Sequence, residues 1–276
     1  MTALPTRRDE AWRYSDLTAL AEVWPQDIGE TREITVASGE TRSLTERLAG
    51  DGWRNDRVTV SVATGGRLDL SIVQARDVAA VTTQLYTIDV AAGASCQVDI
   101  LQHGSRFGRI AVDVTMGDGA DFELNGVNLA RGTQTLEIVT TMRHAEPNGT
   151  SRQTVRIVAD DRAIGNYLGK VMVARDAQKT DASQSVKALL LARTATANAK
   201  PELEIFADDV KCAHGATVGE LNRDALFYME SRGVDPASAK ALLTQAFIGD
   251  ALDSVRDEAV REAMSAEAIA WLEKRI

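Results

Sequence analysis

Between Arg57 and about Val218 the chain alternates apolar and polar residues in short runs. VTVSVA, LDLSIV, CQVDIL, RIAVDV, DFELNGV, TLEIVTTM, TVRIVA, KVMVA and ELEIFA each hold the alternation and then stop at Gly, Asp, Asn or Pro. Residues two apart share one face of a strand, so each run predicts a strand with one buried face. Many short strands with almost no helical periodicity predict an all-β body over residues 57–219. An internal echo narrows the architecture. DVAAGA begins at Asp89 and DVTMGDGA at Asp113, and each leads into another strand-like run. A period in the twenties with small turn residues suits a β-solenoid, in which each coil stacks on the next. A hairpin sandwich is the competitor, and only Asn125-Gly126 and Asn148-Gly149 carry its turn signal.

The flanks follow a different rhythm. Residues 1–56 mix charges with Trp12, Tyr14, Leu17, Leu20, Val23 and Trp24. Leu17, Leu20 and Trp24 recur at helical spacing, which predicts a short amphipathic helix ended by Pro25 inside a helical or mixed N-terminal segment. After Gly219, ELNRDALFYMESRG predicts a helix stopped by Gly233. Asp235-Pro236 opens the next, SAKALLTQAFIGDALDSV, with Ala239, Leu242, Leu243, Ala246 and Phe247 on one side. Ser265 is the expected cap of a last helix, AEAIAWLEKRI. Residues 220–276 therefore read as an all-helical C-terminal region.

Composition removes several function classes. With 31 basic and 40 acidic side chains the 276-residue chain carries a net charge of −9, so it lacks the basic field that attracts phosphate backbones or acidic membrane surfaces. No stretch of about 18 apolar residues occurs, so no membrane span is expected. MTALPTRRDEAWRYSDL has no apolar core of a signal peptide. Cys96 and Cys212 are too few for a disulfide framework, and a reducing cytoplasm is the expected location.

Most motif candidates fail on chemistry. Gly165-Asn-Tyr-Leu-Gly-Lys-Val171 is one spacer short of a phosphate loop and lacks the hydroxyl that holds magnesium. Gly93-Ala-Ser-Cys-Gln97 lacks the second glycine of a nucleophile elbow. Neither His-Glu-x-x-His nor Cys-x-x-Cys occurs, and His103 and His144 stand alone near turns, where solvated or hydrogen-bonded side chains are expected. Cys212 and His214, in KCAHGATVG, are the remaining candidates. On a strand they share a face, roughly 6–7 Å apart. An inert buried cysteine, a metal site completed by another chain, and a thiol nucleophile with its base all fit that pattern. Two cysteines in total are too few to hold an iron–sulfur cluster alone.

Longer segments carry a resemblance. HAEPNGTSRQ (144–153), DAQKTDASQSVKALLL (176–191) and KPELEIFADDVKCAHGATVGELNRDALFYMESRG (200–233) resemble, in order and spacing, signature segments of the SufB/SufD family of iron–sulfur cluster assembly proteins. RRDEAWRYSDL resembles the opening of the SufD branch. Ala213 and Gly215 stand where the SufB branch carries acidic residues, so the SufD branch is the closer likeness. The resemblance implies a right-handed parallel β-helix with a helical N-terminal segment and a helical C-terminal region. It implies a non-catalytic scaffold subunit, with no catalytic residues, that forms a dimer with SufB at the β-helix end, or with a second copy when isolated. The SufC ATPase would dock on residues 220–276. No cofactor would be held by this chain alone; a transient iron–sulfur cluster would be shared with SufB, and reduced flavin is associated with such complexes. His214 would then be a cluster ligand or proton relay, with Cys212 as its neighbour in the candidate metal site. A thiol-dependent transferase or hydrolase built on Cys212 and His214 is the alternative.

Overall fold

A computed structural model describes residues 3–24 and 28–273; Pro25, the expected helix stop, lies outside them. Among the described residues, fourteen strands wind into two parallel seven-stranded sheets. Sheet one holds β1 (Thr31–Val36), β3 (Trp53–Val62), β5 (Val81–Val90), β7 (Phe107–Met116), β9 (Thr135–His144), β11 (Ile164–Val173) and β13 (Thr196–Ile205). Sheet two holds β2 (Thr41–Leu48), β4 (Arg67–Gln74), β6 (Ser95–His103), β8 (Asp121–Ala130), β10 (Thr150–Ala159), β12 (Asp181–Leu190) and β14 (Lys211–Glu220). The chain alternates between the sheets, so each odd–even strand pair is one coil of a parallel β-solenoid. The solenoid begins at β1, inside the segment read from sequence as helical or mixed.

Alternation builds the core. Inward positions stack in register, as in the column Val60, Ile88, Val114, Met142, Val171 and Leu203 of sheet one. Stacking buries aliphatic side chains against their counterparts one coil away, about 4.8 Å along the axis, while every inner strand saturates its backbone on both sides. The turn from sheet one to sheet two is the repeat's signature. Gly39, Gly65, Gly93, Gly119, Asn148 and Lys179 each stand in it with φ between 61° and 70°. Gly93 N–H donates to Asp118 O, Gly119 N–H to Pro147 O and Asn148 N–H to Gln178 O, a ladder running coil to coil. The echo seen in the sequence therefore marks true corners but with the wrong period. Asp89 aligns with Thr115 and Val90 with Met116, so Asp113 lies short of the position that stacks on Asp89. Asn148-Gly149 is a solenoid corner, and Asn125-Gly126 lies inside β8, so neither closes a hairpin.

Each sheet's outer face is covered by a terminal layer. The helix α1 (Leu17–Ala21), capped by Asp16, packs Ala19 and Leu20 with Leu17, Trp12 and Trp24 against Val81 and Phe107 of sheet one. Beside it a buried polar cluster ties the layer down. Glu137 accepts from Arg109 at 2.8 Å, Ser15 Oγ at 2.7 Å and Asn166 Nδ2 at 2.7 Å, and Arg109 stacks 4.0 Å over Trp12. Three helices follow the solenoid: α2 (Arg223–Ser231), α3 (Pro236–Leu252) and α4 (Glu258–Glu273). Gly233, with φ of 89°, ends the first, and Asp235 caps the second through Ala237 N–H and Ser238 N–H. Two expectations about these helices are corrected. Of the expected α3 stripe Ala239 is buried and Phe247 packs against the covered cluster, but the rest of the buried face is Thr244, Ile248, Ala251 and Leu252, whereas Leu242 and Ala246 point to solvent. Ser265 lies mid-helix; α4 starts earlier, where Asp257 Oδ1 accepts from Val260 N–H. The buried stripe joins Met264, Ala268 and Trp271 of α4 over Val73, Leu101, Val127, Val158 and Leu189.

Candidate functional site

The two ends of the solenoid are chemically unlike. At the N-terminal end charge points inward: Arg32 of β1 pairs with Glu46 of β2 at 2.8 Å, and Tyr86 Oη donates to the same carboxylate at 2.7 Å. Inward-facing charge is one device by which a sheet edge is protected from further strand pairing. The C-terminal end lacks it over most of its inward face. There, among the described residues, β13 pairs only with β11 and β14 only with β12, so two ten-residue strands present an unpaired backbone edge. Ala197, Ala199 and Leu203 of β13 and Cys212 of β14 are partly buried against the core, while Phe206 is 58% exposed and Val218 49%. An unpaired edge above an apolar face is a template for another chain.

Cys212 and His214 sit on this last strand, both at inward positions, opposite Ala182 and Gln184 of β12. The alternation read from the sequence therefore places them on one face, at the mouth of the solenoid. His214 is exposed. Cys212 is half-buried, and burial raises its thiol pKa above the ordinary value, with Asp181 adding to the rise. A nucleophilic cysteine needs the opposite shift, so the geometry disfavours a thiolate poised for attack. Cys96 is farther still from reactivity, fully buried with its thiol pushed well up. Among the described residues no group of three or more His, Cys, Asp or Glu is placed to hold a metal ion. Cys212 and His214 are a donor pair that another chain must complete if metal is to be held here.

The other histidines do structural work. His103 Nε2 lies 2.6 Å from Glu267 and joins sheet two to α4. His144, expected to be solvated or hydrogen-bonded, is the hydrogen-bonded case: it is wholly buried at the end of β9, where desolvation lowers its pKa to about 4. Its Nε2 lies 2.9 Å from Ser151 Oγ, and a Cβ on Gly149 would come within 2.8 Å of its Nδ1. The glycine of Asn148-Gly149 is thus required by a packed imidazole.

Sequence reasoning missed the side chains beneath His214. The inward column of sheet two runs Leu44, Leu70, Val98, Leu124, then Gln153, Gln184 and His214. Four apolar rungs give way to three polar ones as the open end is approached. The facing sheet contributes Thr140 and Tyr167, both buried. A signal was present: RQTV at 152–155 and SQSV at 183–186 are in-register copies with glutamine at the inward position.

The comparisons with known proteins bear on the chain as a whole. The family model described as "SUF system FeS cluster assembly, SufBD core domain" matches residues 27–247, which takes in the whole solenoid, α2 and the first part of α3. The chain belongs to the SufBD core family. It is 32% identical over 236 residues to the Arabidopsis thaliana chloroplastic protein ABCI7, covering 83% of this chain and 50% of that one. A SufBD family iron–sulfur cluster assembly protein of Synechocystis is 36% identical over 153 residues, 55% of this chain and 34% of the relative. The iron–sulfur cluster assembly protein SufD of Escherichia coli is 31% identical over 150 residues, 54% of this chain and 36% of the relative. The chain spans a third to a half of the length of these relatives. The resemblance read in the signature segments is thus a family membership, and the mainly β solenoid expected from it is the fold observed. Among the described residues no helix is long and apolar enough to cross a membrane.

Proposed function

We propose that this member of the SUF iron–sulfur cluster assembly family is a non-catalytic scaffold subunit that builds the nascent-cluster site jointly with a second chain. The observation that carries this reading is the incomplete donor pair Cys212 and His214 on an unpaired, apolar solenoid end. Strand pairing across β13 and β14 would satisfy the open backbone edges and close the apolar face in one step. The occupant is a SufB-type chain, with a second copy of this chain as substitute when none is present. The cluster is cargo: imidazole and thiolate suit iron and sulfide, and the remaining ligands come from the partner. The two free thiols suit reducing conditions, which supports a cytoplasmic assembly.

The helical region is the docking element for the SufC-type ATPase. Its support is surface chemistry. Phe227 and Tyr228 of α2 are 74% and 59% exposed, and Leu242 and Ala246 of α3 face solvent beside Ile269 of α4. The sequence has no complete phosphate loop, so nucleotide chemistry must come from a partner. The test is co-purification with the SufB and SufC of the same cell, comparing wild type, His214→Ala and Phe227→Glu. The expected result is an intact complex with slowed cluster formation for the first variant and loss of the ATPase for the second. An intact complex with unchanged cluster absorbance in His214→Ala would remove His214 from the site, and full ATPase retention by Phe227→Glu would remove α2 from the docking surface.

A further inference from the structure

The polar rungs beneath His214 form a directed hydrogen-bond chain inside an otherwise aliphatic core. Thr140 Oγ1 donates to Gln153 Oε1 at 2.6 Å, and Tyr167 Oη donates to the same oxygen at 3.1 Å. Tyr167 thereby spends its one proton, and its oxygen accepts from Gln184 Nε2 at 3.1 Å. In this arrangement Gln153 Nε2 is left without a partner, and Gln184 turns its amide nitrogen to the tyrosine. Its nitrogen is committed to the tyrosine, and its carbonyl oxygen Oε1 is left buried without a hydrogen-bond partner in a side chain only 3% exposed. Space for this arrangement is reserved by Gly169, where a Cβ would overlap Tyr167 Oη and come within 2.7 Å of Gln184 Nε2.

A buried amide oxygen without a donor is destabilising, so its retention calls for a donor close by. The next inward residue on the column is His214, in register with Gln184 and one strand spacing above it. No other inward position of β14 offers a nitrogen donor: its neighbours there are Cys212, Ala216 and Val218. Imidazoles that bind metal characteristically donate their second ring N–H to a carbonyl or carboxylate, which fixes the tautomer and the ring plane.

We infer that Gln184 is the positioning residue of His214: its Oε1 accepts the imidazole Nδ1–H and turns Nε2 outward from the solenoid mouth. Nδ1 is the ring nitrogen nearer the backbone, whereas Nε2 is at the tip. Tyr167, itself bonded to Gln153, anchors Gln184 through the amide nitrogen. The column extends the site two coils into the protein, and this inference rests on the reading of His214 as a donor to the shared cluster.

The test reads the tautomer directly, by long-range nitrogen–proton correlation of the neutral His214 ring in the full chain. Wild type is expected to show the Nδ1–H form, the less common one in water. Gln184→Met is expected to return His214 to the Nε2–H form without lowering the melting temperature, and Gln184→Glu, which keeps an acceptor, to restore Nδ1–H. Should Gln184→Met not fold, Gln184→Asn retracts the same carbonyl by one methylene and takes its place. In the reconstituted complex Gln184→Met should also slow cluster formation about 10-fold, the low end for loss of an outer ligand partner. An Nε2–H ring in wild type, or a tautomer that ignores Gln184, overturns the inference. The two proposals fail separately: His214→Ala can abolish cluster formation while the tautomer ignores Gln184, and Gln184 can set the tautomer of a histidine that clusters do not need.

Discussion

Asp99 is the group whose removal has the most calculable effect. It lies on the outward face of β6, between Gln97, which donates to Ser254 O at 2.8 Å, and Leu101, which packs under the C-terminal helices. The carboxyl is 1% exposed, and burial pushes its pKa up to about 7; Glu123 and Asp69 add to the rise, and a 2.9 Å hydrogen bond from Asn125 and the charge of Arg256 oppose it. In the opened layer the same carboxyl ionises near 3.9. The folded form therefore binds the extra proton between about pH 4 and pH 7, and its stability falls as pH rises through that window and is level above it. From pH 5 to pH 8 the loss covers two pH units, about 3 kcal/mol or roughly 100-fold in an opening equilibrium. Asp99→Asn keeps the shape and removes the titration. The assay is native-state hydrogen exchange of the β6 and α3 peptides, which reads opening of this layer and not unfolding of the whole solenoid. Asp99→Asn should protect those peptides over wild type roughly 100-fold more at pH 8 than at pH 5. His144 works in the opposite sense, since its pKa is lowered to about 4 and stability rises with pH from there to about 6.5, but it is common to both proteins and cancels in the ratio. Equal protection ratios at the two pH values would refute the reasoning, because they would mean Asp99 is ionised in the closed layer.

Three further outcomes are expected. Phe206→Glu places a charge on the open apolar end, and light scattering should show loss of pairing with either a SufB-type partner or a second copy, while melting moves by no more than about 0.5 kcal/mol, as for an exposed position; pairing that persists would move the interface elsewhere. Gly169→Ala should destabilise by about 1–3 kcal/mol in chemical denaturation, because the added methyl displaces Tyr167 and Gln184 inside a packed core; a neutral result would mean the column is loosely packed. Under native conditions a thiol reagent should label Cys212 slowly and Cys96 not at all, with the Cys212 rate falling further once the partner is bound, a difference that mass spectrometry of the labelled peptides would resolve.

What the sequence disclosed and what it withheld divide along one physical line. Alternation is local, so strands such as CQVDIL and TLEIVTTM, and the shared face of Cys212 and His214, were legible from residues two apart. Stacking is not local. Coils differ in length, since the step that aligns Ile164 with Thr196 is longer than the one that aligns Val81 with Phe107, and the corners absorb the difference. A fixed period therefore slips off register within a coil or two, which is how the Asp89 and Asp113 echo came out short. The α3 face was only partly legible for a related reason: Ala239 and Phe247 pack inward as expected, but Leu242 and Ala246, equally apolar and periodic, face solvent while the solenoid covers Thr244 and Ile248, and composition alone does not say which stripe a sheet will cover. The same holds for β5, whose Thr82, Thr83 and Gln84 break the simple pattern because buried polar groups find partners across coils, as Thr83 Oγ1 does by donating to Asn55 Oδ1 at 3.0 Å. Function in this fold is written along the columns. A histidine on a terminal strand is an ordinary strand end until the rungs below it are known, and here they change from leucine and valine to glutamine within the last coils. An apolar column would have served packing better at every one of those positions, so the polar rungs argue for a demand made at the open end.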